Sequence, residues 1–211
     1  EQTITVDSSV QLYLSRYYPI SRLLAGGAGD ATAYGSRQEG TTYYKAVTEG
    51  TVTLNVAGYV SAIRGGGSGD STVSNAVIDV SGQAYTVYGG GDAPYGTVAN
   101  LTENGTTSTC HVGSAEIKIT ETGHATYVYG GGYSVASVGG TSIVVAGRAG
   151  TVTASGSNGY TGSCAIDITQ TGRITPESGY PAVSYGWNGY GVGATVTNEG
   201  TINGDVVLGT L

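Results

Sequence analysis

A short triplet of residues recurs along the chain and constrains its fold more than any other feature. In each copy an apolar residue, a variable residue and a second apolar residue precede a glycine. This period of two is that of a β-strand with one buried face. The five clearest copies begin at Leu54, Ile78, Ile117, Ile143 and Ile166.

A second block follows the triplets and aligns residue for residue. It reads YVSAIRGGG (59–67), QAYTVYGGG (83–91), HATYVYGGG (124–132) and RAGTVTASG (148–156). Residues 63, 87, 128 and 152 form one apolar column, and residues 64, 88, 129 and 153 form the next. The segment 182–189 resembles the block but arrives late in its repeat, and 23–30 matches 63–70 as a degenerate first copy.

The spacing of the triplets predicts the architecture. Successive triplets are 24, 39, 26 and 23 residues apart, which is a near-constant period with one long insertion. Such a period is typical of a parallel β-helix, or β-solenoid, whose stacked turns bury together what one turn cannot. We therefore predict an all-β solenoid of about six or seven turns. Residues 46–211 are its repeats, and residues 1–45 form an N-terminal strand that caps the first turn or joins subunits. A β-sandwich is the alternative, since its strands also alternate and its turns are also rich in glycine.

Composition and charge exclude several functions. Glycine accounts for 38 of 211 residues and charged residues for 11%, which argues against helical bundles and against disorder. The net charge of −7 argues against nucleic acid and anionic membranes as partners. The chain has no apolar run long enough for a membrane span. It also has no leader, so we expect that a secretion signal was removed or that the chain begins downstream of one, with an extracellular or cell-surface location.

No residue pattern predicts a catalytic or metal site. Asp79, Lys118 and Asp167 share the outward column of the triplets, but Val144 interrupts them, and a solvated ladder explains them more simply. His111 and His124 lack zinc-site spacing. GGGSGD (65–70) and GGGDAP (89–94) resemble calcium-binding glycine repeats only superficially, because the nonapeptide period is missing. We expect no cofactor, with calcium as a minor alternative.

Tyrosine is the unusual residue, with 17 copies and no phenylalanine. One interpretation is a set of stacked ladders that stabilise the turns. The other is a surface of exposed rings that binds sugars or packs against neighbouring subunits. The candidate surface rings are Tyr88, Tyr129, Tyr133, Tyr185, Trp187 and Tyr190.

The two cysteines and two sequons are candidates for covalent modification. Cys110 and Cys164 precede strands that are two stacking steps apart, a distance of ~9.6 Å that exceeds the ~7 Å limit for a disulfide. A long loop before Cys110 can close that gap, so a disulfide and two separate thiols both remain open. Asn100 and Asn104 lie in sequons within the long insertion, which predicts exposed glycosylation candidates.

Both ends of the solenoid look poorly capped. Gln2, Thr3, Ile4, Thr5 and Val6 form a clean strand, and residues 205–211 carry no charge after Asp205. We therefore predict that the first strand of one subunit pairs with an open edge of the next, which gives a head-to-tail homopolymer. The alternative is that residues 8–24 fold over the first turn as a cap.

The repeats resemble those of a known group of proteins. The V-Y-G-G-G block at residues 87–91 and 128–132 resembles repeats of secreted bacterial, adhesin-like surface proteins that fold as parallel β-helices. The stretch 197–206 is similar to rungs of autotransporter passenger domains. The resemblance implies adhesion, biofilm matrix or surface display, with glycans among the partners. The sequence thus predicts a structural extracellular protein, either a subunit of a surface fibre or an adhesin or matrix segment. The alternative is a carbohydrate-active β-helix enzyme acting on polysaccharides.

Overall fold

The protein is all-β within the residues that the structure describes. The computed structural model describes residues 1–12, 22–27, 46–93, 110–134, 136–156, 161–186 and 193–207. Every regular element in these ranges is a β-strand, and every pair of strands is parallel. The all-β prediction is therefore confirmed.

The first sheet contains seven strands, one from each repeat of the triplet and one from each end. The strands lie side by side in the order in which they occur in the chain. They are β1 (Gln2–Val6), β4 (Ala46–Val56), β6 (Ser71–Val80), β9 (Cys110–Ile119), β12 (Ser137–Val145), β14 (Cys164–Ile168) and β17 (Ala194–Asn198).

The second sheet contains ten shorter strands from the second block of each repeat. They are β2 (Gln11–Leu12), β3 (Arg22–Leu24), β5 (Tyr59–Arg64), β7 (Gln83–Tyr88), β10 (His124–Tyr129), β13 (Arg148–Thr153), β15 (Arg173–Ile174), β16 (Val183–Ser184), β18 (Thr201–Ile202) and β19 (Val206–Val207). A two-stranded sheet pairs β8 (Asp92–Ala93) with β11 (Tyr133–Ser134).

The chain passes from the first sheet to the second and back once in each repeat. β4 leads to β5, β6 to β7, β9 to β10 and β12 to β13, and each return adds a strand beside the previous one. The late fifth copy follows the same path with a detour. Its second-sheet part is split into β15 and β16, which both pair with β13.

The core lies between the two sheets and is built from two apolar columns. The first residues of the five triplets pair in register, and none is more than 1% exposed. Their counterparts from the second sheet are fully buried at Ile63, Val87, Val128, Val152 and Val183. Burying each such side chain contributes ~1.5–3 kcal/mol, so the repeated column is the main source of stability.

The glycine triplets allow successive repeats to approach closely. A Cβ atom at Gly65 would lie within 3.0 Å of the Gly89 carbonyl oxygen, and one at Gly89 would lie equally close to that of Gly130. Real Cβ atoms do not come so close to a backbone oxygen. These glycines therefore stand where the backbones of neighbouring repeats leave no room for a side chain.

Candidate assembly interface and aromatic cluster

One end of the two sheets is formed by β1, β2 and β3. β1 pairs with β4, while β2 and β3 pair with β5, and no other described strand pairs with any of the three. The Ile4 side chain is 39% exposed at this end. The segment that the sequence predicts to join subunits, Gln2–Val6, thus belongs to the sheet of its own chain, and no described strand lies along its outer edge.

The opposite end is formed by β17, β18 and β19. They pair with β14, β15 and β16 respectively, and the described residues provide no further strand beyond them. Val206 is 45% exposed, while Val196 and Ile202 are half-buried. This end therefore also presents open strand edges with apolar side chains among them.

The two ends carry strands of the same three columns. In the first sheet the column of Ile4 ends at Val196, and in the second sheet the column of Leu23 ends at Val206. The column that begins at Gln11 ends at Thr201. Strands β1, β2 and β3 at one end therefore correspond in register to β17, β18 and β19 at the other.

Backbone hydrogen bonds show which groups face outward at each end. The Ala57 N–H donates to the Val6 carbonyl at 2.9 Å, so the backbone N–H and C=O groups of Val6 point toward β4. Because successive residues of a strand face opposite sides, Thr3 and Thr5 direct their N–H and C=O groups away from β4. At the other end the Cys164 N–H donates to the Gly193 carbonyl at 3.2 Å. By the same alternation the N–H and C=O groups of Val196 point away from β14, and no described strand lies beyond either edge to pair with these outward groups.

A stacked ladder of side chains runs along the second sheet from Arg64 through Tyr88 to Tyr129. These residues occupy one register column. The Arg64 guanidinium carbon lies 4.0 Å from the centroid of the Tyr88 ring, and the Tyr88 and Tyr129 rings stack at 4.4 Å with 13° between their planes. Tyr133 closes the ladder from the side, 4.8 Å from the guanidinium and edge-on to Tyr88.

The rings of Tyr88 and Tyr133 cover the guanidinium group of Arg64. Its side chain is buried, and within the described part of the chain its Nε and Nη1 atoms have no hydrogen-bond partner. Burial lowers the pKa of Arg64, and the charges of Tyr88 and Asp92 oppose that shift. Burial has the opposite effect on the Tyr88 phenol and raises its pKa above the usual value, because in both residues it disfavours the charged form. Arginine remains protonated in proteins, and the raised pKa keeps Tyr88 neutral, so the ladder sets a cation against neutral rings.

A second group of rings surrounds Tyr127. Tyr85 and Tyr180 both meet it edge-on, at centroid distances of 5.4 and 5.6 Å. The Tyr127 hydroxyl donates a hydrogen bond to the Glu177 carboxylate at 2.8 Å. Tyr85 and Tyr180 are 44% and 43% exposed, so these two rings present aromatic surface to solvent.

The six rings predicted as surface candidates differ in their positions. Tyr133 is exposed, Tyr129 and Tyr185 are half-buried, and Tyr88 is buried. Tyr88 is therefore a ladder residue and not a surface ring, because Arg64, Tyr129 and Tyr133 cover it. Trp187 and Tyr190 lie outside the described residues.

An ion pair joins β3 to the small third sheet. The Arg22 Nη1 atom donates to the Asp92 Oδ2 atom. The Asp92 side chain is 3% exposed, whereas that of Arg22 is 37% exposed. Sequence reasoning missed this pair, since the two residues are 70 positions apart and the segment that carries Asp92, GGGDAP (89–94), gives no sign of a partner near Arg22.

The two cysteines are buried and are not joined by a disulfide. The Cys110 Sγ atom lies 3.5 Å from the Ser71 hydroxyl and 3.6 Å from the Gly67 carbonyl. Cys164 pairs instead with Thr141, in a different column. The structure thus has two separate thiols, which lie in different register columns on β9 and β14, with β12 between these strands.

The outward charges lie as the triplet alignment predicts. Asp79 pairs with Lys118, Lys118 with Val144, and Val144 with Asp167. Lys118 forms an ion pair with Glu116 at 2.9 Å on the exposed face. Among the residues that the structure describes, no three His, Cys, Asp or Glu side chains come together as metal ligands. The sequons at Asn100 and Asn104 lie outside the described residues.

Comparisons with protein-family models, with curated proteins and with solved structures find no match to this chain. Among the described residues, no helix has the length and apolar character that crossing a membrane requires.

Proposed function

We propose that this chain is a β-solenoid whose copies stack end to end, and that it serves as a structural subunit of an extracellular fibre or matrix. The observation that carries the proposal is the correspondence between the ends. The three strands at one end, β1 to β3, belong to the same register columns as the three strands at the other, β17 to β19, and no described strand lies beyond either set.

Parallel pairing throughout supports the solenoid. A β-sandwich of the immunoglobulin type is built from antiparallel strands joined by hairpins and Greek keys. Here the described strands pair in parallel, and each repeat contributes to both sheets before the next begins. A chain that winds once per repeat produces this arrangement directly.

The register at the ends supports stacking of a second copy. If β1 of one copy continued the sheet of another beyond β17, Ile4 would follow Val196, and Leu23 would follow Val206, in their apolar columns. The outward N–H groups of Thr3 and Thr5 would meet a strand whose Val196 carbonyl also faces outward. This contact joins two different surfaces, so it leaves a free end on each copy and propagates into a filament.

The surface composition supports a structural role outside the cell. Charged residues are only 11% of the chain, and Tyr85, Tyr133 and Tyr180 expose large parts of their rings. Exposed tyrosine is enriched at protein interfaces. The resemblance of the V-Y-G-G-G repeats to bacterial surface proteins supports the same location.

The test compares Thr5→Pro with Thr5→Val. The Thr5 N–H faces away from β4, so proline at this edge position removes an outward donor and leaves the pairing within the chain intact. Valine keeps the donor and the strand preference. We expect the wild type and Thr5→Val to form filaments in electron micrographs of concentrated samples, with a ~4.8 Å repeat along the axis. Thr5→Pro should remain a single particle with unchanged circular dichroism. Filaments of Thr5→Pro, or single particles of all three proteins, would contradict the proposal.

A further inference from the structure

Along the register column that begins at Gln11, the residue that enters the second-sheet strand is glycine in every described turn except the first. Six glycines occupy this position, and each directly precedes a residue of one register column. In the first turn the position is occupied by Val10, which precedes Gln11 in the same column. The six are Gly58, Gly82, Gly123, Gly147, Gly172 and Gly200.

Glycine is required there because the preceding turn leaves no space. A Cβ atom at Gly123 would lie within 3.0 Å of the Val80 carbonyl oxygen, and one at Gly172 within 3.0 Å of that of Val145. Val80 ends β6 and Val145 ends β12. In the first sheet these strands lie directly before β9 and β14, the strands that lead into the turns of Gly123 and Gly172. The other four glycines face backbone oxygens of their preceding turns in the same way.

Val10 occupies the same kind of turn as two of these glycines. Its N–H donates to the Asp7 carbonyl at 2.9 Å. The corresponding bonds join Gly123 to Thr120 and Gly172 to Thr169, both at 2.8 Å. Each of these positions is the fourth residue after the end of its first-sheet strand, which is Val6 in the case of Val10. The turn is thus shared, and only the side chain differs.

We propose that Val10 sterically limits the stacking of one copy on another. The inference rests on the end-to-end contact proposed above. In that contact the Asn198 carbonyl of the preceding copy takes the place that the Val80 and Val145 carbonyls take inside the chain, because Asn198 and Val6 share their register column. The Cβ atom of Val10 would then lie where no Cβ atom fits. β1 can still pair with β17 of the preceding copy. The turn that carries Val10, however, cannot pack on the preceding turn as closely as the internal turns do.

The consequence is that the joint between copies is weaker than any turn-to-turn joint within a copy. The six described corners of this column within a copy close over a glycine, whereas the joint between copies must displace the turn that carries Val10. Val10 is 37% exposed and has no preceding turn over it among the described residues. A filament of this protein would therefore assemble reversibly and break between copies.

The test uses Val10→Gly with Val10→Ala as the matched control. Alanine removes two methyl groups and their apolar surface but keeps the Cβ atom, which is the atom that clashes. Sedimentation velocity and electron microscopy over a concentration series give the association of each protein, and circular dichroism checks its fold. We expect Val10→Gly to associate at a concentration about tenfold or more below both the wild type and Val10→Ala, because strained packing of this kind is costly. A Val10→Gly/Thr5→Pro double variant should be a single particle.

The outcomes separate the two proposals. If the wild type, Val10→Ala and Val10→Gly associate with the same concentration dependence, the role of Val10 is wrong and end-to-end stacking stands. If Val10→Ala associates as readily as Val10→Gly, loss of apolar bulk rather than the Cβ contact explains the gain, and the inference is overturned. If only Val10→Gly associates, Val10 blocks stacking altogether and the native protein does not form the proposed filament. If no variant associates, both proposals fail.

Discussion

The Arg64 guanidinium lies 4.0 Å above the ring of Tyr88, and that ring in turn stacks on Tyr129 at 4.4 Å. The arrangement places a buried cation at the end of an aromatic ladder that runs across three repeats. Since the ladder follows the strand register, it couples the packing of one repeat to that of the next.

Replacing Arg64 with alanine should destabilise the fold. The change removes the cation–π contact and the packing of a buried side chain, so we expect a loss of about 2–4 kcal/mol in the free energy of unfolding. Arg148→Ala is the control, because Arg148 is exposed at the start of β13 and should change stability by less than about 0.5 kcal/mol. Urea denaturation followed by circular dichroism measures both. Equal effects of the two substitutions would contradict the role of the ladder.

The Arg22–Asp92 ion pair should stabilise the attachment of β3. Arg22→Ala leaves the buried Asp92 carboxylate without this partner, and we expect a loss of about 1–3 kcal/mol. The loss stays moderate because water screens the Arg22 side chain, which is 37% exposed. Arg22→Ala combined with Asp92→Asn should cost less than the sum of the two single changes. Additive losses in a double-mutant cycle would show that the two side chains do not interact.

The thiols should be protected in the folded protein and should weaken it at high pH. Burial raises the pKa of Cys110 from 9.0 to about 11 and that of Cys164 from 9.0 to about 12. The folded state therefore keeps its thiol protons where the unfolded state loses them. The contribution is fully present below pH 9.0 and is lost as pH rises toward 11 and 12.

Two measurements check this prediction. Alkylation at pH 8 should be slow in the native protein and should modify two thiols per chain after denaturation without reductant. Cys164→Ala should reduce the loss of stability above pH 9.0 relative to the wild type. Fewer than two reactive thiols in the denatured protein would instead indicate a disulfide.

The repeat columns were predictable from sequence because a strand register repeats its chemistry. Ile63, Val87, Val128 and Val152 align by eye, and the structure pairs them in that order. The Tyr127–Glu177 hydrogen bond was not predictable, since Glu177 lies in the detour of the fifth repeat and has no counterpart in the others.

The Val10 position was present in the sequence but hidden. The first repeat lacks the glycine that marks the end of each later triplet, so its turn could be aligned only after the pairing of Gln11 with Tyr59 was known. The burial of Tyr88, one of the candidate surface rings, was not predictable for a related reason. A ring beside glycines suggests an open surface, but in this fold the glycines bring a neighbouring repeat close enough to cover it.

The glycine before each later strand of the Gln11 register column should be indispensable within the chain, and this can be tested without assembly. Gly123→Ala places a Cβ atom within 3.0 Å of the Val80 carbonyl oxygen, which belongs to rigid backbone. We expect a loss of about 1–3 kcal/mol in the free energy of unfolding. Gly140→Ala is the matched control, because its nearest neighbour is the Ser163 hydroxyl at 3.1 Å, a side-chain atom that can rotate away. It should change stability by less than about 1 kcal/mol. If Gly123→Ala is as stable as Gly140→Ala, the turns can accommodate a Cβ atom at this position, and the steric argument for Val10 loses its basis as well.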